Sequence, residues 1–504
     1  MIALRSGARV LCRSNATIIS ISQHLRTIAS TSYTGEKRYY PPPEPFVSSA
    51  SDTVSIEPSP FSTFGASPDL LTHYLSLQPA PLTLRQLMAQ GGKPAQALTP
   101  EQLLLSAQHT HRELPIRLAR RVGGFRALPF IVGSNPFISR IARLYASSFE
   151  TLVKFGQIQT QEDNQRFTAV IEDLVSAHAQ NIPTLARGFQ ESRKYMDARQ
   201  ISAFLDAAIH SRIAIRMIAE QHLALSATSN ELSHVRPRTT NNIVADVGQD
   251  ADQDSDHLHH LDPDLPAEGT SNQGHNEYGS PTAVGIIETQ LSPARMTRMC
   301  AAFVRDLCEG TLGAAPELIL EGDLDVTYTG VPVHLEYVMT ELLKNSYRAT
   351  TENFFKSQSA GSNSLSNMPP VIVTIAQSAN HVSLRIRDQG GGISPQNLPH
   401  VFSYAFTTAG SGSELEDAEE TGGGPYAMQA VGGTGGDALA EMGKMGLASG
   451  LGTLAGLGYG LPMARIYAEY WKNGSALDLV SLYGHGCDTF VKLPRHIELS
   501  NTVI

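Results

Sequence analysis

The sequence is 504 residues long, has a formal net charge of −10 at pH 7, and is 41% hydrophobic. This length predicts two or more domains, and the composition is that of a folded protein rather than a globally disordered one. The acidic balance and the lack of a concentrated basic stripe argue against a nucleic-acid partner. No apolar run reaches about 18 residues, so the sequence predicts no membrane-spanning helix. The four cysteines are scattered in neither a disulfide nor a zinc pattern, which fits a reducing compartment.

The first 45 residues have the composition of a targeting leader. No acidic residue precedes Glu36, whereas Arg5, Arg9 and Arg13 are spaced four apart, and Ser and Thr are frequent. An amphipathic, Arg-rich, acid-poor start is typical of a mitochondrial transit peptide, which we predict over 1–45 together with a disordered leader. A disordered tail without a targeting role is the alternative. The leader predicts delivery to the mitochondrial matrix.

Residues 65–226 have the hydrophobic spacing of a helical domain. The stretches "FISRIARLYASSFETLVKF" and "ISAFLDAAIHSRIAIRMIAEQHLAL" each place apolar residues three and four apart. Only short breaks separate such stretches, so we predict a helical bundle.

Residues 227–283 are polar, acidic and rich in turn formers, which predicts an acidic low-complexity insert or linker. Its histidines lie among aspartates, but a solvated linker fits this composition better than a metal site does.

Residues 284–496 mix helical and strand patterns. A helix is predicted near 296–308, followed by strands in "PELILEGDLDVTYTG". "VIVTIAQSANHVSLRIRD" alternates apolar and polar residues on both sides of a turn, which predicts two paired strands. A Gly-rich stretch, 410–454, precedes a last helix and two more strand-like runs. This order predicts helices layered on a mixed sheet, with 497–504 as a tail.

A polar stripe marks one predicted helix of this second domain. In "ELLKNSYR", Glu341, Lys344, Asn345 and Arg348 are three and four residues apart, so their side chains share a helix face. A solvated face is the alternative reading of such a stripe. Three segments further along the chain help to decide between a solvated face and a functional site.

These segments are "DQGGG" (388–392) after a strand, "FTTA" (406–409), and "GLGYGLP" (456–462) at the start of a helix. Taken singly, each could be an ordinary turn. A Rossmann motif is excluded because the glycines come late in the domain rather than between its first strand and helix.

Together, the four segments resemble the N, G1, F and G2 boxes of the GHKL (Bergerat-fold) ATPases and kinases. "ELLKNSYRAT", "RDQGGGI" and "GYGLPMARIYAEY" are similar to one branch, the mitochondrial 2-oxo acid dehydrogenase kinases, as is "RELPIRLARRVGGFRALPFIVGSNP" in the first half. Within this branch, "GGFRALPFIVGSNP", "FTTA", "RHI" and Tyr337 resemble the branched-chain type more than the pyruvate type. The C-terminal "DW" tail typical of the pyruvate type is absent from the sequence.

The resemblance implies an α + α/β protein: an N-terminal four-helix-type bundle followed by a Bergerat α/β-sandwich ATP-binding domain, with 410–454 as the ATP lid. It implies ATP and Mg²⁺ as cofactors, and K⁺ as a further one. Asn345 would bind Mg²⁺, and Glu341 would accept the proton of a substrate serine. Lys344 and Arg348 would steady phosphate charge, although an ion-paired helix face remains the alternative for Arg348.

In the nucleotide site, the resemblance implies that Asp388 accepts a hydrogen bond from the adenine amino group. The other residues implied to bind the nucleotide are Gly390, Gly392, Ile393, Thr407, Thr408, Gly456, Leu457, Gly458, Tyr459, Gly460 and Leu461. The sequence departs from the family at Cys487, where Thr is usual, so that polar contact near the adenine is in question.

The implied activity is that of a protein-serine kinase that phosphorylates and inactivates the decarboxylase subunit of a 2-oxo acid dehydrogenase complex. The branched-chain complex is favoured and the pyruvate complex is the alternative. Docking to the lipoyl domain of the acyltransferase core and homodimerisation are implied as well. More remote alternatives are a histidine kinase, with His111 or His178 as phosphate acceptor, and a GHKL ATPase in which Glu341 would activate water.

Overall fold

The protein is described by a computed structural model, and all described residues belong to the unit Pro58–Ile504. The described residues are 68–94, 96, 98–234, 282–359, 367–404, 458–471, 474–495 and 501–502. The predicted leader, the predicted ATP lid and residues 235–281 of the predicted insert lie outside them.

The first half is helical, as its hydrophobic spacing predicts. Its elements are α1 (Pro68–Ser76), β1 (Leu82–Thr83), α2 (Leu84–Gly91), α3 (Pro100–Arg126), α4 (Phe130–Gly133), α5 (Pro136–Lys154), α6 (Gln161–Ala177), α7 (Asn181–Glu191) and α8 (Ala198–His234). The long helices α3, α5, α6 and α8 pack around a core that includes Phe149, Phe167 and Leu205. The predicted bundle is therefore confirmed.

Short polar residues fix where several of these helices begin. The Thr99 side chain accepts a hydrogen bond from the backbone N–H of Gln102, whose side chain accepts one from the Thr99 N–H, which forms a capping box at α3. At α5, the side chain of Asn135 caps the helix and Pro136 occupies its first turn.

The end of α8 differs from the predicted domain boundary. We predicted the bundle to end at 226, whereas α8 continues to His234. Ser229 on this extension donates a hydrogen bond to the Leu98 carbonyl at 3.3 Å. The stretch after 226 is polar, but it contains no glycine or proline before Pro237, so its polarity is compatible with a helix.

The second half is built on a five-stranded mixed sheet. Its elements are β2 (Ala283–Val284), β3 (Ile287–Leu291), α9 (Pro293–Leu312), β4 (Leu318–Gly322), β5 (Tyr328–Gly330), α10 (Pro332–Ser359), β6 (Val371–Gln377), β7 (His381–Arg387), α11 (Gly460–Glu469), β8 (Ala476–Leu482), β9 (Gly486–Pro494) and β10 (Asn501–Thr502). The strand order is β4-β6-β7-β9-β8, in which β4 and β6 are parallel and the other pairs antiparallel.

Alternating side chains explain how this sheet is covered. Val371, Val373 and Ile375 of β6 are almost fully buried, and α10 and α11 pack against the sheet. The predicted layering of helices on a mixed sheet is confirmed. Among the helices of the described residues, none combines the length and apolar composition needed to cross a membrane.

Two small sheets were not predicted. One has the order β2-β3-β5, and the other pairs β1 with β10, which lies in the predicted C-terminal tail. Buried Gln221 of α8 joins the bundle to the first of them: its Nε2 donates to the Leu87 carbonyl, and its Oε1 accepts from the Ile286 N–H at 2.9 Å. Apart from the five-residue β3, the strands of these sheets have two or three residues, which is too short to show an alternating pattern.

Candidate functional site

One face of α10 positions the site. Glu341, Asn345, Ala349 and Asn353 are four residues apart, so they lie in one row along the helix. The Asn353 Nδ2 donates to the Gln389 carbonyl at 3.0 Å, which places the "DQGGG" loop at the C-terminal end of this row.

The two ends of the row meet different segments of the chain. A Cβ on Gly460 would lie 2.4 Å from Oε2 of Glu341, so the start of α11 contacts the N-terminal end of the row. A Cβ on Gly390 would lie 2.4 Å from the Cβ of Ala349, about 12 Å further along the helix axis. Asn345 lies between these contacts and its side chain is exposed. The structure thus brings three predicted segments onto one helix face.

Asp388 is held from several sides at the end of β7. Its Oδ1 accepts hydrogen bonds from the backbone N–H of Gly390 at 3.0 Å and of Cys487 at 3.1 Å. Its Oδ2 accepts from the Ser346 hydroxyl at 3.4 Å. Burial raises the pKa of the Asp388 carboxyl, and these hydrogen bonds oppose the rise. The carboxylate is therefore fixed in direction, while Oδ2 keeps lone-pair capacity for a further donor.

The glycines of this loop allow close backbone approach. Gly392 has a φ of +71°, and a Cβ there would lie 2.5 Å from the Leu482 carbonyl oxygen. A Cβ on Gly486 would lie 2.1 Å from the Asp388 carbonyl oxygen. The N–H of Ile393 donates to Ser481 Oγ of β8 at 2.7 Å, which ties the loop to the sheet edge. A larger residue at Gly392 or Gly486 would push these backbone segments apart.

The cations predicted on α10 have different partners. Lys344 Nζ donates to Glu341 Oε1 at 2.6 Å, and the two side chains are only 9% and 6% exposed. Arg348 Nε donates to Glu352 Oε1 at 2.6 Å in a half-exposed pair. Arg348 thus has the ion-paired arrangement that the sequence left as an alternative to phosphate binding.

The last predicted segment is described only in part. Gly458 has a φ of +72°, Tyr459 is 2% exposed, and α11 begins at Gly460. Leu461 packs against the core, so its role in the structure is at least partly apolar packing. Thr407, Thr408, Gly456 and Leu457 lie outside the described residues. The described start of α11 presents backbone N–H groups next to Glu341, an arrangement that favours anions.

Two family models match parts of this chain. Residues 81–257 match a family model described as mitochondrial branched-chain alpha-ketoacid dehydrogenase kinase. Residues 330–497 match one described as histidine kinase-, DNA gyrase B-, and HSP90-like ATPase. A mitochondrial pyruvate dehydrogenase (acetyl-transferring) kinase from Arabidopsis thaliana is 30% identical over 82% of this chain and 90% of its own length. The chain belongs to the mitochondrial 2-oxo acid dehydrogenase kinase family.

Two further relatives are also named pyruvate dehydrogenase (acetyl-transferring) kinases. A mitochondrial pyruvate dehydrogenase (acetyl-transferring) kinase from Ascaris suum is 27% identical over 84% of this chain and 85% of its own length. Pyruvate dehydrogenase (acetyl-transferring) kinase 1 from Saccharomyces cerevisiae is 25% identical over 74% of each chain. The chain is therefore an ATP-dependent protein-serine kinase of the GHKL superfamily and a mitochondrial protein.

The two histidines considered as phosphate acceptors are engaged within the kinase's bundle. His111 Nε2 lies 2.9 Å from the Leu152 carbonyl oxygen, to which it donates. His178 lies between Ser148, at 2.8 Å from its Nε2, and Asn181. Burial lowers the pKa of His178 to about 4, so its ring is neutral near pH 7. Both positions fit structural histidines better than exposed phosphate acceptors.

Several contacts of the site were missed at the sequence level. Ser346, Ser481 and Gly486 were not singled out, although they hold Asp388, Ile393 and the adjoining backbone. Only "GHGCD" (484–488) carries a usable signal, because its two glycines lie just before β9 and at its first residue. Cys487 acts on Asp388 through its backbone N–H, which any residue except proline supplies.

Proposed function

We propose that this kinase transfers the γ-phosphoryl group of ATP to a serine of the decarboxylase subunit of a 2-oxo acid dehydrogenase complex and thereby inactivates that complex. One observation carries the proposal. A single face of α10 bears Glu341 and Asn345 between the start of α11 at one end and the Asp388 loop at the other. One extended nucleotide lying along this face would place its phosphates and its base at these opposite ends.

Glu341 is the proposed base. Its carboxylate borders Gly460, where the N–H groups of the first turn of α11 would bind phosphate oxygens. A carboxylate beside the transferred group can orient the attacking serine hydroxyl and accept its proton. Lys344, paired with Glu341 at 2.6 Å, would hold that carboxylate and neutralise phosphate charge.

Asn345 is the proposed ligand for Mg²⁺. The described residues contain no group of three or more His, Cys, Asp or Glu side chains arranged around a metal position. A single exposed amide oxygen nevertheless fits Mg²⁺, which prefers oxygen ligands and takes most of them from water and substrate phosphates. When bound, the ion neutralises charge on the β- and γ-phosphates. The involvement of K⁺ stays a prediction from the resemblance.

Asp388 is the proposed adenine anchor. A carboxylate accepts hydrogen bonds and cannot donate when ionised, so it favours the adenine amino group over the guanine carbonyl. Gly390 and Gly392 would line this end of the site with backbone in place of side chains, because a Cβ on either glycine would collide with neighbouring atoms. Ile393, whose N–H is tied to Ser481, would support the base from the loop.

We infer that the preferred substrate is the branched-chain complex, with the pyruvate complex as the alternative. The residues of the first-half motif "GGFRALPFIVGSNP" and the description of the family model over residues 81–257 support the branched-chain complex as substrate. The names of the similar proteins support the pyruvate complex as substrate instead. Action in the mitochondrial matrix, docking of the bundle to a lipoyl domain, and homodimerisation belong to the same proposal.

The test compares initial labelling of the two purified complexes by this kinase with Mg·ATP. We expect faster labelling of the branched-chain decarboxylase subunit; faster labelling of the pyruvate subunit would overturn the substrate preference alone. Glu341→Gln should reduce labelling by about a thousandfold, within the range for loss of a general base. Glu352→Gln, on the same helix but paired with Arg348, is the matched control and should label normally. Normal labelling by Glu341→Gln would contradict the proposed role of Glu341.

A further inference from the structure

Two tyrosine side chains pack against each other next to the start of α11. The ring of Tyr404 lies 5.2 Å from the ring of Tyr459, centroid to centroid. Tyr459 immediately precedes Gly460, and its carbonyl accepts the N–H of Met463 at 3.1 Å in the first turn of the helix. The position of the Tyr459 ring therefore constrains where α11 begins relative to Glu341.

The bundle holds this tyrosine pair. The Tyr404 hydroxyl donates a hydrogen bond to Oδ1 of Asp206, a half-buried residue on α8, at 2.6 Å. Hydrogen bonds that involve a carboxylate are among the stronger ones in proteins. A side chain of the helical domain thus fixes an aromatic ring of the ATP-binding domain.

A second contact steadies the same segment. The Arg465 guanidinium of α11 lies over the ring of Phe402, 4.5 Å from its centroid. Arg465 is also close enough to Asp206 to lower the pKa of that carboxyl, although burial outweighs this effect and raises the pKa overall. Residues 402–404 are therefore held by α8 on one side and by α11 on the other.

We propose that Asp206 and Tyr404 are positioning residues for phosphoryl transfer. Their hydrogen bond fixes the ring of Tyr459, and through it the first turn of α11, against the carboxylate of Glu341. Neither residue needs to contact ATP or the substrate serine. The bundle in this way contributes directly to the geometry of the reacting groups, since a small displacement of the phosphate-binding turn is sufficient to slow the reaction. This inference rests on the role proposed for Glu341.

The experiment measures kcat and the KM for ATP with the full-length kinase and its purified decarboxylase substrate. Tyr404→Phe keeps the ring and removes only the hydroxyl, so we expect kcat to fall about tenfold, equivalent to about 1.4 kcal/mol. The KM for ATP should stay within about twofold, since the base is anchored at Asp388, at the other end of α10. Asp206→Leu should give the same result as Tyr404→Phe.

Two further variants separate positioning from general stability. Asp206→Asn keeps an acceptor oxygen for the Tyr404 hydroxyl, so it should retain kcat within about twofold of the unmodified kinase. The double variant Tyr404→Phe/Asp206→Leu should be no slower than either single variant, because both remove one interaction. Tyr347→Phe is the matched control: it removes a buried hydroxyl for which the described residues offer no hydrogen-bond partner, and kcat should be unchanged.

The proposal is overturned if Tyr404→Phe retains full kcat, if Asp206→Asn is as slow as Asp206→Leu, or if the two losses add in the double variant. Glu341→Gln, assayed in parallel, keeps this failure distinct from that of the proposed function. An inactive Glu341→Gln with a fully active Tyr404→Phe would reject the positioning role alone. A fully active Glu341→Gln would reject the role of Glu341 itself.

Discussion

The two ends of the α10 face are built differently. At the Asp388 end, backbone N–H groups of Gly390 and Cys487 fix the carboxylate, and neighbouring backbone segments touch through glycines. At the Glu341 end, a carboxylate paired with an ammonium group lies beside the first turn of α11, and the exposed Asn345 follows one turn later on α10. The first end is held by backbone donors, whereas the second depends on an ion pair between side chains. Changes at the first end should therefore alter binding, and changes at the second should alter the rate.

The largest effect on binding is expected for Asp388→Ala. This change removes the adenine acceptor and leaves three donors without a partner. Hydrogen bonds to a charged group contribute about 1.5–3 kcal/mol, so the Kd for ATP should rise about 10- to 100-fold. Calorimetric titration with Mg·ATP measures it. Asp488→Ala, on the outer face of the same sheet where it pairs with Arg387, is the control and should bind normally. Normal binding by Asp388→Ala would contradict a preformed adenine end.

Gly460→Ala tests the other end. The added Cβ would lie 2.4 Å from Glu341 Oε2, so the carboxylate has to move. We expect kcat to fall about tenfold with little change in the Kd for ATP, since the displaced group acts in the chemical step. Gly310→Ala, inside α9, is the control: apart from the helix's own backbone, no described atom lies within 4 Å of the added Cβ, so kcat should be unchanged and the melting temperature slightly raised. A larger change in the Kd for ATP than in kcat would contradict the proposal that the Glu341 end mainly sets the rate.

The pH dependence of ATP binding gives a smaller effect. Burial raises the pKa of Asp388, so this carboxyl begins to take up a proton at a higher pH than an exposed aspartate does. Protonation removes the acceptor charge, and affinity should therefore fall as the pH is lowered. The free energy of unfolding should change in the opposite direction. A folded-state pKa above the ordinary aspartate value stabilises the fold at pH values below that ordinary pKa. This contribution is lost as the pH rises through the raised pKa.

Titrations of ATP binding at several pH values, made on the kinase and on Asp388→Asn, measure this effect. The Asn variant should lose the Asp388 part of the dependence. An unchanged profile in that variant would show that another group titrates.

The smallest effect is expected for Cys487→Thr. The Cys487 backbone N–H already bonds to Asp388, and burial raises the pKa of the thiol to about 11, so the side chain stays neutral. Restoring the usual threonine should change the Kd for ATP by less than about threefold, the scale of one neutral hydrogen bond or less. A gain of tenfold or more would show that the side chain, and not only the backbone, contributes to the adenine end.

The sequence predicts the layered architecture and much of the site because long periodic segments carry both. The alternation in β6 and β7 and the row from Glu341 to Asn353 follow from simple spacing rules. Contacts made by the backbone, such as the Cys487 N–H to Asp388, leave no trace in residue type. The Ser346 hydroxyl was equally hidden, because nothing local distinguishes it from other helical serines.

Boundaries and distant pairings were the weakest predictions. The sequence does not predict the end of α8 at His234, because the polar residues after 226 are typical of a loop although they include no helix breaker. The hydrogen bond between Asp206 and Tyr404 joins residues far apart in sequence, and periodicity carries no information on such pairs. Only the folded chain brings them together.

The pairing of β1 with β10 has a consequence for synthesis and engineering. Leu82 and Thr83, which precede the bundle's second helix, form their ladder with Thr502 and Asn501, which follow the whole nucleotide-binding half along the chain. On the ribosome, the bundle can therefore acquire this strand partner only after the nucleotide-binding half has emerged. Engineered variants that lack Asn501 and Thr502 would therefore leave β1 without this strand partner.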